Sequence, residues 1–225
     1  VYEVSDMSNF DVCFVLGYMK KIDITKLPEY CKFFVIHESS LPEGRGFAPV
    51  TWQIIEGKNK IDICLIKLEE EFDAGDIVLK DKIILDGDEL YDEIRHKQAC
   101  TTFKLIDEFL SIYPEIDSEE QSGEASYYKR RSPEDSKIDP NKSIAEQFDL
   151  IRTCNNDDWP AFFEMRNKSY ILKIYKNEYG TASAMWFSQK DIQVISLPGV
   201  PYEMKSLMNN SILPELKLKF KRPFI

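Results

Sequence analysis

Two short apolar runs near the start of the chain predict strands of a parallel sheet. Residues 11–18, DVCFVLGY, and residues 33–37, FFVIH, are continuous, rich in β-branched and aromatic residues, and separated by a turn around Pro28. Strands buried on both faces have this composition, which is typical of α/β folds. The second run ends at His37, in front of a loop rich in glycine and proline. Because α/β folds place their chemistry at strand ends, this loop is a candidate site.

The apolar spacing further along predicts two helices and another strand. The pattern after Thr51 predicts a short helix that ends at Gly57, and residues 61–68 alternate as a half-buried strand does. Residues 88–113 have apolar positions at a broadly helical spacing, closed by Pro114. We therefore expect one long amphipathic helix in this part of the chain.

The second half of the chain predicts a linker followed by smaller elements. Residues 115–141 are rich in charge, serine and glycine, which is typical of a surface loop. A helix is predicted over 143–152, with Asn141 or Ser143 as its N-cap. Two apolar segments within 160–175 flank a basic turn that contains asparagine, and this pattern predicts a β-hairpin.

Composition bounds the class of protein. The chain has 225 residues, of which 43% are hydrophobic, enough for one full core and a satellite subdomain. Its 39 acidic residues exceed its 29 lysines and arginines, so the formal net charge of −10 disfavours capture of nucleic acid, including a transfer-RNA substrate.

Cysteine usage and apolar run lengths predict where the protein resides. The five cysteines are scattered without any CxxC pair, which indicates a reduced, cytoplasmic protein without a structural metal. Neither a membrane-spanning run nor a signal peptide is predicted. The chain begins at Val1 without an initiator Met, at the approach to a strand, so we expect an N-terminal part to be missing.

His37 and Asp73 are the first candidates for chemistry. Acylation of an amine needs a group that stabilises the developing oxyanion and a base that accepts the amine's proton. His37 is one of only two histidines and stands at a predicted strand end. A structural histidine satisfied by hydrogen bonds is the alternative, and the residue pattern alone leaves both open.

The surrounding motif resembles the folate-dependent formyltransferase family, which includes methionyl-tRNA formyltransferase and sugar N-formyltransferases. The motif is HESSLPEGRGFAPVTWQIIEGKN over 37–59, followed by EEFDAGDI over 70–77. The resemblance covers about residues 11–175. Within the family, the motif over 37–59 and segment 121–148 are most similar to the branch that formylates nucleotide-linked 4-amino sugars, including those on the way to pseudaminic acid. It implies an α/β, Rossmann-like core with a mostly parallel sheet and a small C-terminal helix/β-hairpin subdomain.

The resemblance also implies roles for individual residues. His37 would polarise the formyl carbonyl of the co-substrate 10-formyltetrahydrofolate, and Asp73 would orient the imidazole or take the amine proton. The acceptor would be a nucleotide-linked amino sugar, with no nucleic acid or membrane as partner and a homodimer as one possible assembly. The candidates for substrate or cofactor binding are Ser39, Leu41, Arg45, Gly46, Tyr128 and Arg131.

Alternatives stay open for several of these residues. The guanidinium of Arg45 offers a planar set of donors to an anionic ligand. A salt bridge that braces the loop explains this arginine equally well. The aromatic ring of Tyr128 suits stacking on a nucleotide base, and the guanidinium of Arg131 suits a diphosphate. The alternative is that both residues lie in a solvated linker and contact no ligand. Many family members have an asparagine oxyanion donor at the position of Val35, and loss of one such donor lowers the rate roughly a hundredfold. A weakly active or non-catalytic folate- or nucleotide-binding relative is therefore one alternative function, and a methionyl-tRNA formyltransferase-like enzyme is another.

The C-terminal segment resembles a different family. Residues 177–225, with NEYGTASAMWF and LPGVPYEM, are similar to the end of the molybdopterin-binding-like domain of the CinA family. A strand over 192–197 and an amphipathic helix from Tyr202 to about Lys217 are predicted there. The expected organisation is a catalytic core over 1–116, a linker and subdomain over 117–176, and this strand-turn-helix segment.

Overall fold

The computed structural model describes residues 10–220. The chain divides into two compact units, with the boundary between Ser132 and Pro133. In chain order, the first unit contains β1 (Val12–Val15), β2 (Lys32–His37), β3 (Arg45–Gly46), α1 (Pro49–Ile55), β4 (Lys60–Lys67), β5 (Ile77–Ile84), α2 (Tyr91–Ile112) and β6 (Tyr127–Tyr128).

The main sheet of the first unit has the strand order β1-β2-β4-β5 and a mixed direction. Strands β1 and β2 are parallel, whereas β2 pairs with β4 and β4 with β5 in antiparallel ladders. The α/β class is confirmed, but the expectation of a mostly parallel sheet is wrong for the described strands. The loop 68–76 between β4 and β5 is too short for the crossover that a parallel pair requires, so β5 returns antiparallel.

The alternation of side chains along β2 separates the core from the site. Phe34 and Ile36 pack on one face of the sheet, in a core with residues of α1 and α2 such as Ile54 and Phe109. Because successive side chains point to opposite faces, Val35 and His37 lie on the other face. That face holds a smaller apolar cluster of Leu41, Cys64, Ile66 and Ile77, against which Val35 packs.

The second unit is a four-stranded antiparallel sheet with helices. In chain order its elements are α3 (Ile144–Arg152), β7 (Ala161–Met165), β8 (Lys168–Tyr175), β9 (Ala184–Gln189), β10 (Ile192–Ser196), α4 (Pro201–Leu207), a π-helical segment (Met208–Ile212) and α5 (Leu213–Lys219). The predicted hairpin is confirmed as β7 and β8, joined by Arg166 and Asn167 with φ values of 51° and 59°. The sheet order is β10-β9-β8-β7. The boundary expected after residue 176 therefore falls between β8 and β9, which pair with each other.

Two further predictions of local structure have different outcomes. Ser143 is the N-cap of α3, and its capping box with Glu146 confirms the predicted helix start. The predicted surface loop over 115–141 is only partly right, because it contributes β6 to a two-stranded sheet and buries Ser136 and Ile138. Within residues 10–220, no helix is both long and apolar enough to cross a membrane.

Candidate active site

His37 and Asp73 lie side by side beneath the loop that follows β2. The His37 side chain ends β2 and is 4% exposed. Its Nδ1 lies 3.4 Å from Oδ1 of Asp73, and its Nε2 lies 2.8 Å from the main-chain carbonyl oxygen of Gly44. Because a carbonyl oxygen can only accept, Nε2 is the donor in the second contact. The imidazole and the carboxylate therefore form a buried pair across which a proton can move.

Asp73 is held by its own loop geometry. Its φ of 54° is in the left-handed region, which aspartate tolerates better than most residues. Oδ2 accepts a hydrogen bond of 2.9 Å from the main-chain N–H of Gly46. Two residues on, a Cβ at Gly75 would lie 1.9 Å from the carbonyl oxygen of Lys67, so only glycine permits this close turn. The spacing Asp-x-Gly thus places one carboxylate beside His37.

Gln121 connects the Asp73 loop to Arg45, and the sequence analysis did not single it out. Its side-chain Nε2 donates to the carbonyl oxygens of Asp73 at 2.7 Å and Gly75 at 2.9 Å. Its Oε1 accepts from Nε and Nη2 of Arg45 at 3.2 and 2.7 Å. A glutamine in a loop has no periodic or motif signal of its own, so only the tertiary structure identifies this clamp.

Arg45 makes protein contacts around its guanidinium. Besides Gln121, its Nη1 donates to Oε1 of Glu71 at 3.1 Å and to the hydroxyl of Tyr127 at 3.3 Å. The residue is 9% exposed. These contacts brace the loop, which is the alternative to ligand binding that the sequence left open.

Gly46 and Tyr128 pair across the two-stranded parallel sheet of β3 and β6. Gly46 has a φ of 101°, and a Cβ there would lie 2.5 Å from the carbonyl oxygen of Tyr128. The Tyr128 hydroxyl donates to Oε2 of Glu56 at 2.8 Å. Burial, together with that carboxylate, raises the pKa of Tyr128 above its usual range. Arg131 lies beyond β6 and is half-buried.

Ser39 and Leu41 have different surroundings. The Ser39 side chain is 1% exposed, and its Oγ has no hydrogen-bond partner among residues 10–220. Leu41 packs with Cys64 and Ile66 in the apolar cluster beneath the loop, so its side chain belongs to the core. Its expected contact with a ligand has no support in this packing.

A groove of about 60 Å³ runs beside Asp73 and contains Val35 in its lining. Val15, Val35 and Ile66 are register partners across β1, β2 and β4, so they form one apolar row along this groove. The groove is bordered by Lys20, Lys21, Glu69, Glu70 and Phe72. Val35 thus lies on the groove wall that also holds the Asp73 carboxylate.

The structure brings most candidates together and leaves two apart. His37, Asp73, Arg45 and Gly46 belong to one hydrogen-bonded network with Gln121. Ser39 and Tyr128 line a second cavity next to it. Leu41 lies in the core, and Arg131 lines neither cavity.

Comparison with known proteins places this geometry in context. Residues 1–106 match the family described as Formyl transferase. The chain is 32% identical over 176 residues to the methionyl-tRNA formyltransferase of Sulfurihydrogenibium sp. (strain YO3AOP1), which covers 75% of this chain and 55% of that relative. The chain therefore spans about half the length of the curated relatives it matches.

Solved structures give the same fold. The methionyl-tRNA formyltransferase from Clostridium thermocellum superposes with a TM-score of 0.62 and 25% identity, over 78% of each chain. A 4-N formyltransferase from Francisella tularensis superposes with a TM-score of 0.54 and 21% identity, over 72% of this chain and 69% of that one. At that lower identity the second likeness concerns the fold alone.

Proposed function

We propose that this chain, whose residues 1–106 match the formyl transferase family, transfers a formyl group from 10-formyltetrahydrofolate to the amine of a nucleotide-linked 4-amino sugar. The observation that carries the reaction class is the buried contact between His37 and Asp73, made at a strand end and beside a groove. An imidazole and a carboxylate in contact are suited to accept and relay the proton that an amine loses when it is acylated.

The lining of the groove beside Asp73 suits the folate donor, and the groove, at about 60 Å³, must widen when a pterin ring enters it. Its row of Val15, Val35 and Ile66 offers an apolar wall to the flat face of a pterin ring. Lys20 at its border suits a carboxylate of a folate tail, whereas Nζ of Lys21 lies 3.8 Å from Oε1 of Glu70. These residues would hold the donor, and the donor bound there supplies the formyl carbon.

The reaction forms a bond between the amine nitrogen and the formyl carbon, and it breaks the bond from that carbon to N10 of the folate. The amine loses one proton and N10 gains one. Asp73 and His37 accept the amine's proton as a pair, and an N–H of His37 stabilises the negative charge that develops on the formyl oxygen. Because Nε2 of His37 donates to Gly44 in this structure, that hydrogen bond must be exchanged for one to the substrate.

A sugar acceptor is supported by charge and by the motif. The net charge of −10 opposes a polyphosphate such as transfer RNA. The segments 37–59 and 121–148 resemble those of enzymes that act on nucleotide-linked 4-amino sugars, such as those on the way to pseudaminic acid. The Francisella tularensis neighbour, named a 4-N formyltransferase, has the same fold.

Methionyl-tRNA is the second candidate acceptor. The curated relatives, at 32% and 31% identity, are named methionyl-tRNA formyltransferases, and so is the Clostridium thermocellum structure. The chemistry at His37 and Asp73 is the same for either amine, so the acceptor must be decided by assay.

The test is a mass-spectrometric assay with 10-formyltetrahydrofolate. The purified protein is incubated with UDP- and dTDP-linked 4-amino sugars in one series and with methionyl-tRNA in another, beside a His37→Ala control. A formylated sugar that is absent with the control supports the proposal. If formyl-methionyl-tRNA is the only product, the acceptor is methionyl-tRNA and the sugar proposal is wrong. If a folded protein gives no product in either series, the proposed formyltransferase activity is refuted.

A further inference from the structure

The main chain leaves the sheet directly after His37. Strand β2 pairs with β1 as far as Val35 and with β4 as far as His37, so both ladders of β2 end there. The next two residues, Glu38 and Ser39, lead into the loop whose Gly44 accepts a hydrogen bond from His37. Main-chain carbonyl oxygens that leave a ladder inside a fold need new donors. Two side chains supply them.

Gln53 of α1 is the first of these donors. Its side-chain Nε2 donates to the carbonyl oxygen of Glu38 at 2.7 Å and to that of Pro49 at 3.2 Å. Gln53 is 5% exposed, so water competes little for its amide group. Hydrogen bonds are stronger in such an environment, because the local dielectric constant is low. Gln53 thus ties the peptide group between Glu38 and Ser39 to the start of α1.

Cys64 of β4 is the second donor. It is the register partner of His37 in the antiparallel ladder, so the two side chains lie on the same face of the sheet. Its Sγ lies 3.3 Å from the carbonyl oxygen of Ser39, and the residue is 1% exposed. Burial raises the pKa of the Cys64 thiol to about 11, although a hydrogen bond from the main chain of Leu41 acts to lower it. The sulfur therefore carries its proton at neutral pH and can donate it to Ser39.

We infer that Gln53 and Cys64 are positioning residues for His37. The inference rests on the proposed function, because it concerns how the candidate catalytic imidazole is held for formyl transfer. Burial of a glutamine amide costs free energy, so a packing role alone would favour an apolar side chain at that position. The two donors fix two consecutive peptide groups after β2, and with them the orientation of His37 towards Asp73.

The test uses variants that remove a donor and one that keeps it. Gln53→Met has a side chain of similar length without an N–H group. Cys64→Ala removes the thiol, whereas Cys64→Ser keeps a donor at the same position. Cys64→Ala deletes a single heavy atom, so it keeps the test open should Gln53→Met fail to fold.

Matched controls are available in the second unit. Gln147→Met removes a helical glutamine whose Nε2 donates to the carbonyl oxygen of Asp139 at 3.0 Å. Cys154→Ala removes a buried thiol that donates to the carbonyl oxygen of Leu150 at 3.2 Å. Thermal unfolding verifies that each variant is folded.

The first measurement needs no substrate. The chain has two histidines, so NMR resonances of the ring nitrogens can be assigned to His37 and to the exposed His96. These resonances report which ring nitrogen carries the proton and how it is hydrogen-bonded. We expect a protonated Nε2 at His37 in the parent, as the contact with Gly44 requires. Gln53→Met and Cys64→Ala are expected to shift or broaden the His37 signals and to leave those of His96 unchanged.

The second measurement is steady-state kinetics. Gln53→Met and Cys64→Ala are expected to lower kcat about tenfold with little change in KM for the folate donor, because a small displacement of a reacting group lowers the rate more than the affinity. Cys64→Ser is expected to recover most of the kcat that Cys64→Ala loses. The two controls in the second unit are expected to keep the kcat of the parent.

The other outcomes separate this inference from the proposed function. Unchanged His37 resonances in folded Gln53→Met and Cys64→Ala would overturn the positioning role, whatever the activity. A kcat in Cys64→Ser as low as that of Cys64→Ala would assign Cys64 to packing and overturn its part of the inference. Shifted His37 resonances in the variants, with a parent that formylates no acceptor, would keep the positioning role and overturn the proposed function.

Discussion

The side-chain amide of Gln121 donates to the main-chain carbonyl oxygen of Asp73 at a distance of 2.7 Å. The two residues are 48 positions apart in the chain, so the segment after α2 holds the loop that carries the candidate catalytic carboxylate. The same amide group accepts from Arg45. Gln121 thus holds the loop of Asp73 in place, and we predict that it positions the pair of Asp73 and His37.

Removal of the Gln121 side chain is expected to lower turnover more than it lowers affinity. Gln121→Ala frees the Asp73 loop, and small displacements of a reacting group lower the rate by about ten- to a hundredfold. Gln121→Glu keeps an acceptor for Arg45 but loses both donors, so we expect a similar loss. The measurement is kcat and KM for each variant, with the exposed neighbour Glu120→Ala as the control. A lower melting temperature with an unchanged kcat would mean that Gln121 has a structural role only.

Neutralisation of Asp73 is expected to abolish most activity while the fold is kept. Asparagine tolerates the left-handed φ of 54° and can still accept from the Gly46 amide, so Asp73→Asn changes mainly the charge beside His37. Loss of proton transfer lowers turnover by about 10² to 10⁴, and we expect His37→Ala to have an effect of the same order. Steady-state kinetics and thermal unfolding measure the two properties separately. Near-parent turnover in either variant would remove that residue from the mechanism.

An asparagine at position 35 is expected to raise turnover. Val35 lies two residues before His37 on the same face of β2 and lines the groove with Asp73, so an amide there could donate to the developing oxyanion. The expected gain is about a hundredfold, at a loss of stability of about 1–3 kcal/mol for a polar group in an apolar cluster. Val35→Ala is the control without a donor. An unchanged kcat in folded Val35→Asn would show that the site is complete with valine.

Gly46→Ala is expected to lower the free energy of unfolding of the first unit by much more than backbone strain alone would. At Gly46 a Cβ would meet the Tyr128 carbonyl oxygen at 2.5 Å, so the pairing of β3 with β6 must give way. Gly17→Ala is the matched control, because Gly17 also has a positive φ, of 59°, but nothing lies within 4 Å of its Cβ position. Denaturant unfolding should show a loss of about 1 kcal/mol for Gly17→Ala and at least twice that for Gly46→Ala. Equal losses would contradict the close approach at Gly46.

Stability at acidic pH is expected to depend on Glu89. Burial acts to raise the pKa of this carboxyl, but hydrogen bonds from Lys97 and from the amides of Asp86 and Gly87 outweigh burial and lower it from 4.5 to about 2. A lowered folded-state pKa means that the contribution is complete above about pH 4.5 and is lost as the pH falls towards 2.

The corresponding variant tests this assignment. The shift is worth about 3 kcal/mol at neutral pH, so Glu89→Gln should lower stability there and flatten the fall between about pH 5 and 2. Chemical unfolding at a series of pH values is the measurement, and the exposed Glu120→Gln is the control. A variant whose pH dependence equals that of the parent would contradict the assignment.

Local chemistry was enough to predict many elements of this protein. The apolar runs at 11–18 and 33–37 predicted β1 and β2, and helical spacing predicted α2, because burial on a defined face imposes its period on the sequence. The hairpin turn at Arg166 and the N-cap at Ser143 are local as well, since each depends on residues within a few positions. The motif likewise singled out His37 and Asp73, which the structure places in contact.

The antiparallel return of β5 and the Gln121 clamp depend on tertiary structure, because both join segments whose pairing no local pattern encodes. The same holds for β9, which joins β8 across the boundary that the sequence predicted after residue 176. The unpaired hydroxyl of Ser39 is a further case, since burial and the lack of a partner are properties of the packed fold. Sequence alone therefore determined which residues we propose for the chemistry, and long-range packing decided what positions them, because contacts between distant segments form only when the whole unit has folded.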